Sequence, residues 1–290
     1  MPKALGNTHL REEYGVRVFI SCDIEGITGV VDSQLQTSET GRDYEKARRL
    51  MTMDVNAAVR GAFSGGAEYV LVSDGHGASH MRNIVLEELD SRAEALVGVP
   101  RSLGQMEGIA HDFDVAFFVG YHARMGAHGI LSHTISGRVV RNVWVNDILV
   151  GECGINALIA GAYAVPVALV TGDQHVTAEA KQILPWVDSV CVKHAVTREC
   201  ARCKPPEVTS KLIEQAAREC VEKTRAGSHY HCFELEPPMC YSLEFMTSGQ
   251  ADAASRMHGI ERISATVFRF SAKDAVEGFR LLRSLIALAQ

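Results

Sequence analysis

The stretch VRVFISCDIEG, residues Val16 to Gly26, is a short apolar run that ends in two carboxylates one residue apart and then a glycine. Its apolar part has the length and character of a buried strand. In an extended chain, side chains at i and i+2 point the same way, so Asp23 and Glu25 leave the strand end side by side. Two adjacent carboxylates repel each other, and burying them unpaired is costly, so they require water, a basic partner or a cation. A lone Asp-x-Glu is most often a solvated turn. The rest of the chain decides between these readings.

The same arrangement recurs downstream. Arg42 to Phe63 carries Leu50, Val55, Ala58 and Val59 at helical spacing and stops at Ser64-Gly65-Gly66. Glu68 to Ser73 is a second apolar run, ending in Asp74-Gly75-His76-Gly77. Strand, helix, strand reads as a βαβ crossover, which makes the strands parallel and sets both polar ends on one edge. After a weaker helix or loop around Ile84 to Leu89, Asp114 to Val119 gives a third strand that runs into Gly120-Tyr121-His122. Successive strands thus deliver Asp23, Glu25, His76 and His122 to one rim, the place where open α/β sheets bind ligands.

Gly126 to Ser136 is rich in glycine and small polar residues and contains His128 and His133. Asn142 to Val150 reads as a hairpin around Asn146-Asp147 and leads into Gly151-Glu152-Cys153-Gly154. A helix is expected over Ile155 to Tyr163, with Glu152 at or just before its start, where negative charge is favoured. Pro166 to Thr171 and Ser189 to Lys193 read as further strands, and Pro206 to Glu222 as an amphipathic helix. Two strand-like runs and a helix from Ala272 to Leu288 close the chain. The fold class is therefore α/β, a largely parallel sheet with flanking helices plus a smaller C-terminal α+β lobe. The expected division is a flexible extension over 1–15, an α/β metal-binding catalytic domain over 16–200 and the smaller lobe over 201–290.

Composition narrows the partners. Of 290 residues, 47% are hydrophobic and 22% charged, ordinary for a folded soluble chain. With 35 acids against 29 basic residues and no basic block, nucleic acid is a poor partner. The longest apolar passage, Ala157 to Val170, is too short for a membrane span and is interrupted by Gly161 and Pro166. Met1 to Gly15 is polar and has no signal-peptide pattern, so a cytoplasmic location with eight reduced cysteines is expected. Cys200-Ala-Arg-Cys203 lacks a well-spaced second pair, which argues against a structural zinc there.

Asp23, Glu25, His76, His122 and Glu152 form an oxygen and nitrogen donor set suited to divalent ions such as zinc. Five protein ligands exceed one tetrahedral site and suit a pair of ions about 4 Å apart. The rival is salt bridging of the acids by Arg124, Arg138 and Arg141, which leaves two histidines at strand ends unexplained. Two other functions fit fewer residues. A dinuclear metallophosphoesterase would show further Asp and Asn ligands, and a phosphate- or nucleotide-binding module would use the backbone N–H groups of Gly75 to Gly77.

Ser21-Cys22-Asp23-Ile24-Glu25-Gly26, Asp74-Gly75-His76, Gly120-Tyr121-His122-Ala123-Arg124, Ser132-His133 and Gly151-Glu152-Cys153-Gly154-Ile155-Asn156-Ala157 together resemble the successive motifs of the zinc-dependent D-aminopeptidases associated with dipeptide-transport operons. The likeness is ordered over about residues 16 to 175 and looser beyond. It implies two zinc ions per chain on Asp23, Glu25, His76, His122 and Glu152, with His133 as the catalytic residue. It also implies hydrolysis of short peptides from a free N-terminus, a preference for D-residues, and a ring-like homo-oligomer, a decamer, enclosing the sites. His133 then either attacks directly or moves protons to the leaving amine; proton transfer or oxyanion stabilisation is chemically preferred, because a metal site already generates a nucleophile from water. Asp74 is a candidate to orient an imidazole or to cap a turn, and His128 reads as a loop residue. Cys22 and Cys153, inside the motifs, would alter metal preference or redox sensitivity if they stood beside the zinc.

Overall fold

The computed structural model describes residues 15–227 and 230–290. The extension expected over 1–15 lies outside the described residues apart from Gly15. The opening stretch forms β1 (Val16–Cys22), followed by α1 (Tyr44–Ser64) and β2 (Ala67–Asp74), the expected crossover. The short edge strand β3 (Glu94–Leu96), β4 (Val115–Tyr121), β7 (Val167–Asp173), β8 (Asp188–Thr197) and β9 (Cys200–Cys203) complete a seven-stranded sheet of order β3-β2-β1-β4-β7-β8-β9. All its pairs are parallel except β8 with β9. The register sets Cys22 opposite both Asp74 and Val119, so the chain leaves β1, β2 and β4 at one edge. The strand order runs outward in both directions from β1 and β4, and the crevice between their ends is the topological switch point.

Side-chain alternation divides each central strand between two cores. Val18, Ile20 and Cys22 face the layer of α1 and α4 (Pro206–Arg225), while Phe19 joins the core on the opposite side. Helix α4 docks closely on α1 because α1 carries glycines at the contact. A Cβ at Gly61 would lie 2.2 Å from the Glu214 carbonyl oxygen, and one at Gly65 would lie 2.6 Å from that of Arg218. The opposite core is built on α2 (Glu152–Ala162), α3 (Gln174–Ile183) and a second sheet.

That second sheet is antiparallel, with order β11-β12-β10-β5-β6. Its strands are β5 (Val140–Val145), β6 (Ile148–Val150), β10 (Met239–Phe245), β11 (Glu261–Arg262) and β12 (Val267–Ala272). Helices α5 (Ser248–Ala254) and α6 (Ala275–Leu288) accompany it. The hairpin turns at Asn146 and Asp147, both at positive φ (46° and 66°), as a two-residue turn of the primed class requires. The two sheets do not part at residue 200. The 140–150 hairpin pairs with β10, so the second sheet draws on the middle of the chain, and α4, which follows residue 200, covers the first sheet. Helix α3 has no counterpart in the sequence reading. Asp173 ends β7 and also caps α3, its Oδ1 accepting from the His175 and Val176 N–H groups at 2.8 and 3.0 Å.

Candidate metal centre

The switch-point crevice brings six side chains together in two triads, Asp23 with Glu25 and His76, and His122 with His133 and Glu152. Asp23 and Glu25 follow β1, His76 follows β2, and His122 follows β4. Glu152 is the first residue of α2, where the helix dipole favours a carboxylate. His76 Nδ1 lies 3.3 Å from Asp23 Oδ1 and 3.2 Å from Glu25 Oε2. His122 Nε2 lies 3.6 Å from Asp23 Oδ2 and 3.2 Å from Glu152 Oε1, so Asp23 turns one oxygen to each triad. His133 Nε2 stands 3.7 Å from Glu152 Oε1. The sequence-derived residues therefore meet in one place, and His133, read as catalytic, completes the second triad.

Each imidazole has one nitrogen occupied by a backbone carbonyl. His76 Nε2 lies 2.7 Å from the Thr37 oxygen, His122 Nδ1 3.1 Å from that of Ala123, and His133 Nδ1 2.9 Å from that of Leu131. A carbonyl only accepts, so these nitrogens carry the protons of the neutral rings. The other nitrogen of each ring then presents a lone pair to the carboxylates. Glu25 Oε2 and His122 Nε2 are buried without a hydrogen-bond partner. Lone pairs facing lone pairs in a buried cluster are unfavourable by themselves and become ligands once a cation stands between them. The donor set fits zinc, which accepts imidazole and carboxylate together.

The electrostatics point the same way. Burial pushes Asp23 up, and the charge of Glu25 adds to it, carrying it to about 7. Burial acts upward on Glu25 and Glu152 as well, but His76 and His122 respectively outweigh it and hold both acids below the usual range. Burial would lower His122, yet Glu152 and Asp23 draw it up to about 10. The cluster attracts positive charge, whether as protons or as metal.

Around these residues lies a network that sequence reading did not find. Gln105 Nε2 donates to Asp23 Oδ2 at 2.8 Å, and Asn156 Nδ2 donates to Gln105 Oε1 at 2.5 Å and to the Tyr121 hydroxyl at 2.8 Å. Gln105 sits in a one-turn 3-10 helix, Gly104–Met106, inside a passage without periodicity, so no local signal marks it. Asn156, four residues after Glu152, is one helical turn further along α2 and belongs to the same sequence motif as Glu152.

The remaining expectations resolve individually. Asp74 holds a turn: its carboxylate accepts from the Asn83 N–H and Nδ2 and from the Ile84 N–H at 2.9 Å, while Asn83 Nδ2 also donates to the His76 carbonyl. Thr37, not Asp74, orients the His76 ring. Among the described residues, every ion pair of Asp23, Glu25 and Glu152 is with a histidine; Arg124 Nη1 donates to the Met125 carbonyl, and Arg141 faces Glu244. The Gly75 N–H is used by the Cys22 carbonyl at 2.8 Å and offers nothing to a phosphate. Cys22 and Cys153 are buried thiols outside both triads, and burial raises each well above the usual thiol range. Cys200 and Cys203 are exposed free thiols on β9, and His128 is an exposed loop residue.

The loop bearing His133 is tightly tied. Leu131 and Ile135 take φ of 50° and 60°, a strained conformation for side chains of this bulk. The Ile135 N–H donates to Glu152 Oε1 at 2.7 Å, the His133 N–H to the Ala123 carbonyl at 3.2 Å, and the Ile130 N–H to Asp173 Oδ2 at 2.6 Å.

Comparison with known proteins places the chain in a known family. Residues 16–284 match the Peptidase M55 family model, described as D-aminopeptidase. The D-aminopeptidase of Bacillus subtilis (strain 168) is 35% identical over 279 residues, covering 94% of this chain and 98% of its own length. The solved structure of the Zn-dependent D-aminopeptidase DppA from Bacillus subtilis, a self-compartmentalizing protease, superimposes with a TM-score of 0.89 at 32% identity, covering 94% of this chain and 98% of that one.

Proposed function

Because the chain belongs to the Peptidase M55 family of D-aminopeptidases, we propose that it is a zinc-dependent aminopeptidase that removes residues, preferentially D-residues, from the free N-terminus of short peptides. The observation that carries this reading is the convergence of three imidazole lone pairs and three buried carboxylates at the switch point. Asp23, Glu25, His76, His122 and Glu152 would hold two zinc ions, Asp23 offering one oxygen to each triad. Zinc held there supplies Lewis acidity to the scissile carbonyl and lowers the pKa of water towards neutrality.

The chain's own residues do the rest. The carbonyls of Thr37 and Ala123 hold His76 and His122 in the tautomer that ligates. His133 differs in its access: its side chain is 20% exposed against 1% for His122, so it faces the space a substrate would enter. Its Nδ1–H is fixed on Leu131, which leaves Nε2 to accept a proton and return it to the leaving amine. Burial lowers the His133 pKa, and the neighbouring His122 lowers it further, which keeps Nε2 unprotonated and ready to accept.

No helix among the described residues is long and apolar enough to cross a membrane. The reading includes a homo-oligomer, in the form of a ring-like decamer within the cytoplasm. The support is the similar Bacillus subtilis protein, described as a self-compartmentalizing protease, together with eight unpaired cysteines. The test is metal content per chain on protein purified without added metal, with hydrolysis of D-Ala and L-Ala p-nitroanilides before and after chelation. Two zinc ions per chain and chelator-sensitive, D-selective cleavage are expected. Cleavage of the L-substrate alone would remove the stereochemical part, and absence of metal and cleavage after zinc is restored would remove the reading.

A further inference from the structure

Lys193 lies on β8, three strands from β1, and is completely buried. Its Nζ donates to the carbonyl oxygens of Glu25, Ile27 and Val30 at 2.6, 2.8 and 2.5 Å. All three protons of the ammonium are thus directed at one loop, residues 23–30, which joins no helix or sheet. Buried carbonyls outside a ladder need donors from elsewhere, and one side chain supplies three of them here. The loop leaves β1, crosses the end of β4 through hydrogen bonds from the Asp23 N–H to Val119 and from the Gly26 N–H to Gly120, and arrives over β8. Asp54 holds it from the α1 side, accepting from the Thr28 N–H at 2.9 Å. Among the described residues, no carboxylate forms an ion pair with Lys193, and its three hydrogen bonds all go to backbone carbonyls.

We propose that Lys193 is the positioning residue of the Asp23, Glu25 and His76 triad: by gripping the Glu25 carbonyl and the two that follow, it fixes the backbone from which both β1 carboxylates reach the metal. The inference rests on the dinuclear reading above. Lys193 touches neither substrate nor ligand side chain; it acts through the loop. The second triad hangs on β4, the His133 loop and α2, and meets this grip only through Asp23, whose Oδ2 faces His122. Removing Lys193 therefore weakens the ion of the first triad more than that of the second.

The test is a cobalt titration of the chelator-stripped full chain, followed by visible absorption and calorimetry, for the wild type, Lys193→Met and a control, Val192→Ala. Val192 is also fully buried on β8, so its truncation loosens the same strand without touching the three carbonyls. The wild type is expected to take two ions. Lys193→Met is expected to bind one ion about 10- to 100-fold more weakly, the range for residues that support metal ligands, and the other with a smaller loss. Val192→Ala is expected to bind both normally despite a lower melting temperature. Two ions at wild-type affinity in Lys193→Met, or the same selective loss in Val192→Ala, would overturn the inference alone. A wild-type chain that takes up no ion would overturn the metal reading beneath it. Should Lys193→Met not fold, Lys193→Leu, which also lacks a donor, is read against the same outcomes.

Discussion

The rings of His122 and His133 stack with centroids 4.0 Å apart and planes 11° from parallel, and both turn Nε2 towards Glu152 Oε1. Stacking keeps two chemically identical groups in different roles, the buried ring against the acids and the more open one towards the crevice. His133→Gln is expected to lower kcat by about 10²- to 10⁴-fold, the range for a lost general acid or base, while leaving two ions per chain. Metal content and kcat measured on the same sample separate the possibilities. Loss of one ion would make His133 a ligand, and full turnover with both ions would deny it either task.

Gln105 and Asn156 act in series on Asp23. Gln105→Leu removes a donor from the oxygen that faces His122 and is expected to weaken metal binding about tenfold. Asn156→Leu should do the same by releasing Gln105, and the double variant should be little worse than either alone, because the two residues form one chain of hydrogen bonds. Calorimetric titration of the four proteins measures the coupling; additive losses would mean that the residues act separately.

The parts of this centre that could be read from sequence are those set by local geometry. Asp23, Glu25, His76 and His122 each follow a short apolar run, and period-two strands joined by a helical crossover have only one economical arrangement. Glu152 was marked by its glycine-flanked helix start. Gln105 and Lys193 are hidden for opposite reasons: Gln105 lies where the chain has no periodicity, and Lys193 lies in the middle of a strand whose pattern says only that it is buried. Neither reveals its partner until the sheet is assembled. The joining of the 140–150 hairpin to β10 escapes likewise, since antiparallel pairing across about 100 residues leaves no local trace. Helix α3 does leave one, the capping Asp173, masked because that residue also ends β7.

Gly26 tests how closely the ligand loop approaches β4. A Cβ there would stand 1.9 Å from the Tyr121 carbonyl oxygen and 2.4 Å from the Gly120 carbonyl carbon, and neither backbone atom can withdraw without moving His122. Gly26→Ala is expected to cost about 3 kcal/mol or more and to abolish metal uptake. Gly77, at φ −66° and with no atom within 4 Å of the place a Cβ would take, should accept alanine within about 0.5 kcal/mol. Urea unfolding of both variants makes the comparison, and equal behaviour would contradict it.

Asp54 gives the fold a pH dependence separate from the metal ligands. It is wholly buried, Oδ1 has no hydrogen-bond partner, and burial raises its pKa from 3.8 to about 6 against the opposing pull of the Thr28 N–H. A carboxyl whose folded pKa lies above its unfolded value binds its proton more tightly in the native state. Its contribution is therefore fully present below pH 3.8 and is lost as the pH rises through about 6. A shift of about two units corresponds to about 3 kcal/mol. Asp54→Asn keeps an acceptor for the Thr28 N–H and cannot ionise, so its stability relative to the wild type should climb by up to that amount between about pH 4 and pH 7. Denaturant titrations of the two chelator-stripped proteins across this range read the difference directly, and a difference that stays flat with pH would mean that Asp54 ionises in the folded chain as readily as in the unfolded one.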